Sequence, residues 1–298
     1  MFEIMDAGND SVIVQVIGFG KKAESVCAYM NNNGIEGVEY FTEIEVQNTN
    51  YLPMRTLSNL ATEQGDSHRF IEASDLNFYL VDESYLSEQI DNIQQYVDQT
   101  CLNCLVILNH NSIIETGSEK VKVWIKLMDS FLPLPFSPYP DNDTPYLTNQ
   151  NEMAYRFVQG ISEIITRPGL VCADFCDVRS VLFKMGRVVM GTHSATGKDR
   201  AANAVGRAIS SPLLKDAILS GSSSILVNIT AGMDVSINEF EEVGNSIKAI
   251  AADNATVVVA APIVPEMSGI MHVTVVAAGS NESNMAMDSF NHSLTTSK

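Results

Sequence analysis

Two aspartates with i, i+3 spacing lie where one predicted helix of this chain ends and the next begins. They are Asp174 and Asp177, in the segment Cys172-Ala173-Asp174-Phe175-Cys176-Asp177-Val178-Arg179. Neighbouring carboxylates are groups that acid–base and water-orienting chemistry uses. They also suit the first turn of a helix, where the macrodipole favours negative charge. The pair is therefore a candidate site that has a purely structural alternative.

The residues on either side predict the two helices that hold these aspartates. Apolar side chains recur with a helical period from Asn151 to Thr166, and Pro168-Gly169 ends that central helix. A second helix is predicted from Asp177 to Met185, ended by Gly186. The acids therefore lie at the connection between the central helix and whatever follows it.

Strands and helices alternate along the chain, as a parallel-sheet α/β fold requires. The predicted strands are Val12 to Ile17, Leu76 to Val81, Leu102 to Leu108, Ile225 to Ile229, Thr256 to Ala260 and His272 to Ala277. The other predicted helices are Ala23 to Asn31, Tyr85 to Gln99, Asp199 to Ile209 and one opened by the capping box Ser236-Ile237-Asn238-Glu239. Five prolines between Phe131 and Pro145 predict an irregular segment there.

The segment around the acids closely resembles the bacterial tubulin homologue FtsZ, in which a central helix ends in R-P-G-L and is followed by N-x-D-F-x-D-V-R. Collinear matches continue through Gly191 to Ala201, Ala208 to Leu214, Val227 to Gly232, Asp253 to Val258 and Val273 to Ala277. The first 40 residues also match, at Met1-Phe2-Glu3 and at Ile35 to Glu39. Between about residues 43 and 148 the likeness fades to spacing and hydrophobic pattern.

This resemblance implies a role in trans for the loop. In FtsZ filaments the loop enters the GTP pocket of the neighbouring subunit, and its two acids polarise the water that attacks the γ-phosphate. Asp174 and Asp177 would then be catalytic in trans, Phe175 would pack the loop, and Arg179 would contribute to the interface. Cys172, also at this interface, replaces the Asn of the family.

The first glycine-rich segment of the family is degenerate here. After the opening strand the chain reads Gly18-Phe19-Gly20-Lys21-Lys22-Ala23-Glu24. Glycines are needed there because backbone N–H groups must approach phosphate without a Cβ in the way. Ala23 and Glu24 spoil that surface, so Gly18 and Gly20 are vestigial binding residues for which packing is the favoured explanation. Lys21 and Lys22 could still hold an anion, although a solvated face is the expected state of such a pair.

The second segment, the tubulin-type signature GGGTGTG, is replaced by Val81-Asp82-Glu83-Ser84-Tyr85-Leu86. The family's ribose and metal loop is replaced by Ile44-Glu45-Val46. Glu152, which aligns with the acid that reads guanine, is the one conservative remnant. We therefore expect no bound cofactor, with GTP or GDP only if the pocket has been rebuilt.

Charge and hydropathy exclude several classes of partner. The net charge is -18, and residues 1–150 carry 22 acidic and 7 basic side chains while residues 151–298 carry 14 and 11. Nucleic acid is an unfavourable partner because neutralising phosphates requires a basic face. Residues 156–215 are locally basic, which could help to dock an acidic protein surface. The sequence contains no run of about 18 apolar residues, so membrane insertion is not predicted. The chain is expected in the cytosol.

Neither a thiol centre nor a metal centre is predicted. Cys101-Leu102-Asn103-Cys104 is a single CxxC at the start of an apolar strand, which favours buried structural thiols. No histidine lies near Cys172 and Cys176 in the sequence, and the histidines fall in separate elements. An odd total of five cysteines indicates free thiols in a reducing compartment.

The predicted fold is therefore α/β of the tubulin and FtsZ type. Residues 1–150 would form a degenerate nucleotide-binding domain with a Rossmann-like parallel sheet, and residues 151–170 the central helix and the start of the connecting loop. Residues 171–279 would form the C-terminal α+β domain, and residues 280–298 a disordered tail. That tail does not resemble the family's tether-binding peptide.

The predicted function is that of an FtsZ-like pseudo-GTPase, which binds FtsZ-type filaments through its catalytic-loop face and caps or modulates assembly in cell division. One alternative is a GTPase with a rebuilt pocket that forms GTP-dependent filaments. A second is a scaffold that assembles with itself without nucleotide. GTP binding by the purified protein separates the first two readings.

Overall fold

Strands and helices follow the alternation that the sequence predicts. The computed structural model describes residues 12–42, 74–82, 85, 97, 101–110, 119–135, 150–211, 213–214 and 216–279. The strands are β1 (Val14–Phe19), β2 (Val38–Thr42), β3 (Leu76–Asp82), β4 (Leu102–His110), β5 (Ser130–Pro135), β6 (Gly169–Val171), β7 (Gly186–Thr196), β8 (Ser224–Ala231), β9 (Thr256–Pro262) and β10 (Ile270–Ala278). The helices are α1 (Lys21–Asn33), α2 (Glu119–Leu127), α3 (Gln150–Thr166), α4 (Phe175–Leu182), α5 (Arg200–Ile209), α6 (Asp216–Gly221) and α7 (Ile237–Lys248).

The N-terminal strands form a parallel sheet in the order β2-β1-β3-β4-β5. One face buries alternate strand residues against α1 and α3, where Val26, Met30 and Phe157 are fully buried. The opposite face packs on α2 around Trp124, which is also fully buried. Because both faces are covered, the strand sequences are apolar at successive positions, as parallel sheets require.

The proline-rich segment contains a strand, which corrects the prediction of an irregular segment from Phe131 to Pro145. β5 pairs in parallel with β4, and Phe131, Leu132 and Leu134 are buried. Pro133 lies opposite Ile107, and the register shifts just beyond that pair. Proline cannot donate to the ladder, yet burial of the neighbouring apolar side chains outweighs that loss. Residues 136–149 lie outside the described part of the chain.

The C-terminal strands form a mixed sheet in the order β7-β10-β8-β9-β6. β10 is antiparallel to both β7 and β8, whereas β8 and β9 are parallel. Helices α5 and α7 cover one face and α3 and α4 the other. Two residue pairs between β5 and β7 join both halves into one ten-stranded sheet. The fold-class prediction is confirmed.

Several element boundaries differ from the sequence prediction. Helix α4 begins at Phe175 and ends at Leu182, earlier than predicted, because Asp174 is its N-cap residue. The capping box of Ser236 and Glu239 at the start of α7 is confirmed, with both reciprocal hydrogen bonds present. The sequence reading did not identify β2, β6, β7, α2 or α6. The predicted helix from Tyr85 to Gln99, the Ile44-Glu45-Val46 replacement and the tail lie outside the described residues, apart from two isolated positions.

Candidate functional site

The two aspartates form a reciprocal cap at the start of α4. Asp174 has extended backbone, and its Oδ1 accepts a hydrogen bond from the Asp177 amide at 3.0 Å. In return, Asp177 Oδ2 accepts from the Asp174 amide at 3.0 Å. Both side chains are exposed. The cap uses one oxygen of each carboxylate, so the structural explanation holds, and the second oxygen of each lies outside the capping box.

Strand β6 fixes the chain that leads into this cap. The amide of Ile263 donates to the carbonyl of Pro168 at 3.0 Å. A side chain at Gly169 would collide with the backbone of Ala261, so the close approach of β6 to β9 requires glycine. On the other side of the cap, Phe175 packs against the main core and Val178 is fully buried. The acids are therefore presented on an anchored loop, and an interface role for Phe175 stays a prediction.

Arg179 lies in the last turn of α4, two residues after Asp177. Its guanidinium carbon is 4.5 Å from the centre of the Phe183 ring. Burial raises the pKa of the Asp129 carboxyl, and the positive charge of Arg179 is among the effects that oppose this rise. Acids at the first turn and a cation at the last turn both suit the macrodipole of α4. An interface role for Arg179 stays a prediction.

Cys172 and Cys176 are exposed free thiols on either side of Asp174. The Cys172 thiol makes a long contact of 3.6 Å to the carbonyl oxygen of Gly169. By contrast, Cys101 and Cys104 are buried, and burial raises the pKa of Cys104 to about 12. The described residues contain no group of three or more His, Cys, Asp or Glu that could hold a metal ion.

Gly18 and Gly20, interpreted from the sequence as vestigial binding residues, lie in a closed turn between β1 and α1. A Cβ at Gly18 would lie 2.7 Å from the Cys27 sulfur, so α1 packs directly on this glycine. Gly20 has a φ of 86°, which favours glycine, and a Cβ there would lie 3.2 Å from Cδ2 of Tyr85. Packing therefore explains both glycines, and Tyr85 belongs to the segment that the resemblance aligns with the second glycine-rich loop.

The two lysines begin helix α1 directly after this turn. Lys21 is exposed, and its carbonyl oxygen accepts from the Ser25 hydroxyl at 2.9 Å. Lys22 is half-exposed. Glu24 occupies the same first turn, as the sequence suggested. An anion-holding role for the two lysines stays a prediction.

Glu152, which the resemblance aligns with the acid that reads guanine, is already engaged by protein groups. Its Oε2 accepts from the Tyr29 hydroxyl at 2.8 Å. Its Oε1 accepts from Nε of Arg156 at 3.0 Å and forms an ion pair with the same guanidinium. The hydrogen bond to Glu152 is the main reason that the pKa of Tyr29 is raised. Both oxygens would have to exchange partners before this acid could read a base.

A buried polar network between α3 and the C-terminal sheet was missed by the sequence reasoning. Glu163 accepts from Thr230 at 2.8 Å and from Gln159 at 2.9 Å, and Asn228 donates to the carbonyl of Gly160 at 2.9 Å. Burial raises the pKa of Glu163, although Thr230, Gln159 and nearby arginines oppose the shift. The sequence signal that could have revealed this network is Glu163, an acid that lies between apolar residues on the buried side of the amphipathic helix α3.

His272 sits beside that network with hydroxyls at both ring nitrogens. Its Nδ1 lies 2.6 Å from the Ser194 oxygen and its Nε2 lies 2.8 Å from the Thr192 oxygen. Burial lowers the pKa of His272 to about 3, and the charges of Arg156 and His193 add to this shift. A neutral, hydrogen-bonded histidine of this kind is part of the structure and a weak base.

A second missed cluster fixes the start of α7. Arg200, 5% exposed, contacts Glu239 through Nε at 2.6 Å and Asp234 through Nη1 at 2.7 Å. Asp234 also accepts from the Gly269 amide at 3.1 Å. These contacts lower the pKa of both acids, chiefly through hydrogen bonds to Arg200. The cluster connects α5, α7 and the start of β10.

A parallel sheet joined through a central helix to a mixed sheet is the fold of the tubulin and FtsZ class of proteins. Solved structures agree at the level of the fold. An FtsZ mutant from M. jannaschii superposes with a TM-score of 0.70 at 19% identity, covering 91% of this chain and 92% of that one. TubZ from Bacillus thuringiensis serovar israelensis, in GDP-form protofilaments, gives a TM-score of 0.59 at 11% identity, covering 96% and 93%.

Sequence comparisons are more specific. Residues 186–281 match the model of the FtsZ family C-terminal domain. The cell division protein FtsZ of Buchnera aphidicola subsp. Baizongia pistaciae is 31% identical, over 94% of this chain and 82% of that protein. FtsZ of Pseudomonas putida is 30% identical, over 94% and 79%. The chain belongs to the FtsZ family.

Identity is distributed unevenly along the chain. FtsZ of Buchnera aphidicola subsp. Schizaphis graminum is 55% identical, but over 122 residues, which are 41% of this chain. With this relative, the match spans 32% of the curated protein's length.

Within the described residues, no helix is long and apolar enough to cross a membrane.

Proposed function

We propose that this chain is a cytosolic FtsZ-like pseudo-GTPase of the cell division apparatus. It docks on an FtsZ-type protomer through the acidic cap, caps or modulates filament assembly, and works at the division site. It holds no nucleotide of its own. The observation that carries this proposal is a contrast: the carboxylates of Asp174 and Asp177 are exposed on an anchored loop, whereas the turn at Gly20 is covered by Tyr85.

Polarity of assembly follows from that contrast. A filament end that exposes bound GTP accepts the acidic cap of this chain. The opposite face of the chain offers no nucleotide to the next loop, so growth stops there. Capping is then effective at substoichiometric amounts. Because Asp174 and Asp177 complete the active site of the terminal subunit, they also promote GTP hydrolysis in that subunit. This step depends on positioned water and electrostatics.

Co-sedimentation and GTP turnover of an authentic FtsZ, with increasing amounts of this protein, test the proposal. Polymer mass is expected to fall at substoichiometric ratios. Asp177→Gln keeps a side-chain acceptor for the cap and removes the charge, so it should preserve docking and abolish any effect on turnover. Asp253→Asn, a charge-removing change at an exposed site, is the matched control. Unchanged polymer mass and turnover at every ratio would refute capping and leave the scaffold alternative.

A further inference from the structure

Asp129, just before β5, is a buried acid that contacts both halves of the ten-stranded sheet. It is 9% exposed, and its carboxylate accepts a hydrogen bond from the Asn103 amide of β4 at 2.9 Å. In the C-terminal half, the Lys184 amide also donates to this carboxylate, and the Gly186 amide donates to the Asp129 carbonyl oxygen at 3.0 Å. β5 and β7 share two residue pairs, so the contacts of Asp129 are a substantial part of the connection between the halves at this edge.

Buried amide side chains hold the N-terminal side of this connection. Asn77 of β3 lies opposite Asn103 in the parallel register, and its Nδ2 donates to Asn103 Oδ1 at 3.3 Å. Asn77 Oδ1 in turn accepts from the Ser74 hydroxyl at 2.7 Å. A buried network of hydrogen-bonded polar groups is rigid. Asp129 therefore contacts a strand that is itself firmly held.

The C-terminal side of the connection is the turn between α4 and β7, which has an unfavourable backbone conformation. Lys184 has a φ of 56°, and among the described residues it is the one non-glycine with positive φ. Such strain persists only where surrounding contacts over-determine it. The hydrogen bond from the Lys184 amide to Asp129 is a contact of this kind. Without it, we expect the turn to relax towards negative φ.

A change at this turn reaches the acidic cap because α4 is a single short helix. Phe183, the C-cap residue of α4, donates its amide to the Arg179 carbonyl at 2.9 Å and directly precedes Lys184. The helix is about 12 Å long. A tilt of about 5° at the turn therefore moves Asp174 and Asp177 by about 1 Å. A displacement of this size at a reacting group costs about 10² in rate.

We propose that Asp129 is a positioning residue: by holding the turn at Lys184, it sets the orientation of α4, and hence of the acidic cap, against the N-terminal sheet. The chemical part of this inference rests on the proposed function, whereas the effect of Asp129 on α4 does not. Because Asp129 is buried, it acts through α4 and not by direct contact with a partner.

Hydrogen exchange of the protein alone tests the effect on α4. Asp129→Ala should speed exchange of the Leu182 and Phe183 amides about tenfold or more, because the turn that follows them loses its hydrogen bond. Asp75→Ala is the matched control, since Asp75 lies at the same edge of the sheet and accepts from the Ile13 amide at 3.0 Å. It should leave these amides unchanged relative to those of α7, which report any general loss of stability.

Lys184→Gly is the rescue variant, because glycine adopts positive φ without strain. Added to Asp129→Ala, it should return the exchange of the α4 amides to within about threefold of the wild type. Equal exchange of α4 in the wild type and in Asp129→Ala would overturn the inference. The same acceleration in Asp75→Ala, or an acceleration that Lys184→Gly does not reduce, would also overturn it.

GTP turnover of a matched FtsZ tests the chemical part. At saturation, Asp129→Ala should stimulate turnover about tenfold less than the wild type, and the double variant with Lys184→Gly should recover the stimulation. Unchanged maximal stimulation despite faster exchange in α4 would refute the positioning of the acids. If the wild type itself leaves turnover unchanged, the proposed function fails, and the exchange measurements alone decide whether Asp129 holds α4.

Discussion

Asp174 and Asp177, which form the acidic cap of α4, have a structural role and a proposed chemical role, and mutation can separate the two. Asp174→Ala removes the acceptor of a 3.0 Å hydrogen bond from the Asp177 amide. Loss of such an N-cap costs about 1 kcal/mol. The entropy of unfolding is about 2 cal/mol/K per residue, so over the 298 residues of this chain the expected fall in thermal midpoint is roughly 2 °C. Asp174→Ser keeps a hydroxyl acceptor and should unfold within a few tenths of a kcal/mol of the wild type.

The informative variant combines Asp174→Ser with Asp177→Gln. This pair rebuilds the cap in its uncharged form, since Ser and Gln are residues that occupy these positions in capping boxes. Thermal unfolding followed by circular dichroism should then match the wild type, while stimulation of GTP turnover in a matched FtsZ should disappear. Wild-type stimulation by the doubly substituted protein would refute a chemical role for the carboxylates. If the thermal midpoint of this double variant were as low as that of Asp174→Ala, the argument that Ser and Gln restore the helix N-cap would be refuted.

Three further predictions concern pH, thiols and nucleotide. Because the folded-state pKa of Glu163 is raised, the free energy of unfolding should fall as pH rises from the ordinary glutamate range through that raised value. In urea titrations, Glu163→Gln should flatten this fall. Glu36→Gln, which removes one partner of an exposed ion pair, should not flatten it. Native protein should titrate two thiols rapidly with a disulfide reagent, Cys172 and Cys176, and all five after unfolding; three or more fast thiols would contradict the burial of the rest. GTP with Mg²⁺ should leave the thermal midpoint unchanged, whereas binding at 100 times its Kd would add about 2.7 kcal/mol; an upward shift with GTP but not ATP would favour the rebuilt pocket.

The strands with strong apolar patterns could be predicted from the sequence because local signals and burial agree there. The opening strand, the strand at Leu76 and the strand at Leu102 were found within two residues of their bounds. β5 was missed because five nearby prolines indicate a loop, while the burial that overrides them depends on β4 and β7. The start of α4 was placed two residues late because Asp177 was taken as its first residue, whereas the helix begins at Phe175 and Asp174 is its N-cap.

The candidate site was predicted in its residue types and missed in its connections. A D-x-x-D spacing indicates a cap, but the direction in which Arg179 points depends on Phe183 and Asp129, which follow from tertiary packing. The closed turn likewise depends on Tyr85, which lies far from Gly20 in the sequence. No local pattern reports contacts of this range.

Two features would oppose nucleotide binding in the proposed function, and they differ in strength. To engage Glu152, a base would have to replace hydrogen bonds from Tyr29 and Arg156. Each exchange costs about 1 kcal/mol net, and a base supplies donors of its own, so this barrier alone is modest. The turn at Gly20 is a steric obstacle, since Tyr85 lies where even a Cβ would be in tight contact. A phosphate must displace that ring and would still meet the first turn that carries Glu24. In the proposed function, the loss of nucleotide binding therefore depends chiefly on the closed turn at Gly20, and the exposed carboxylates of Asp174 and Asp177 take no part in it.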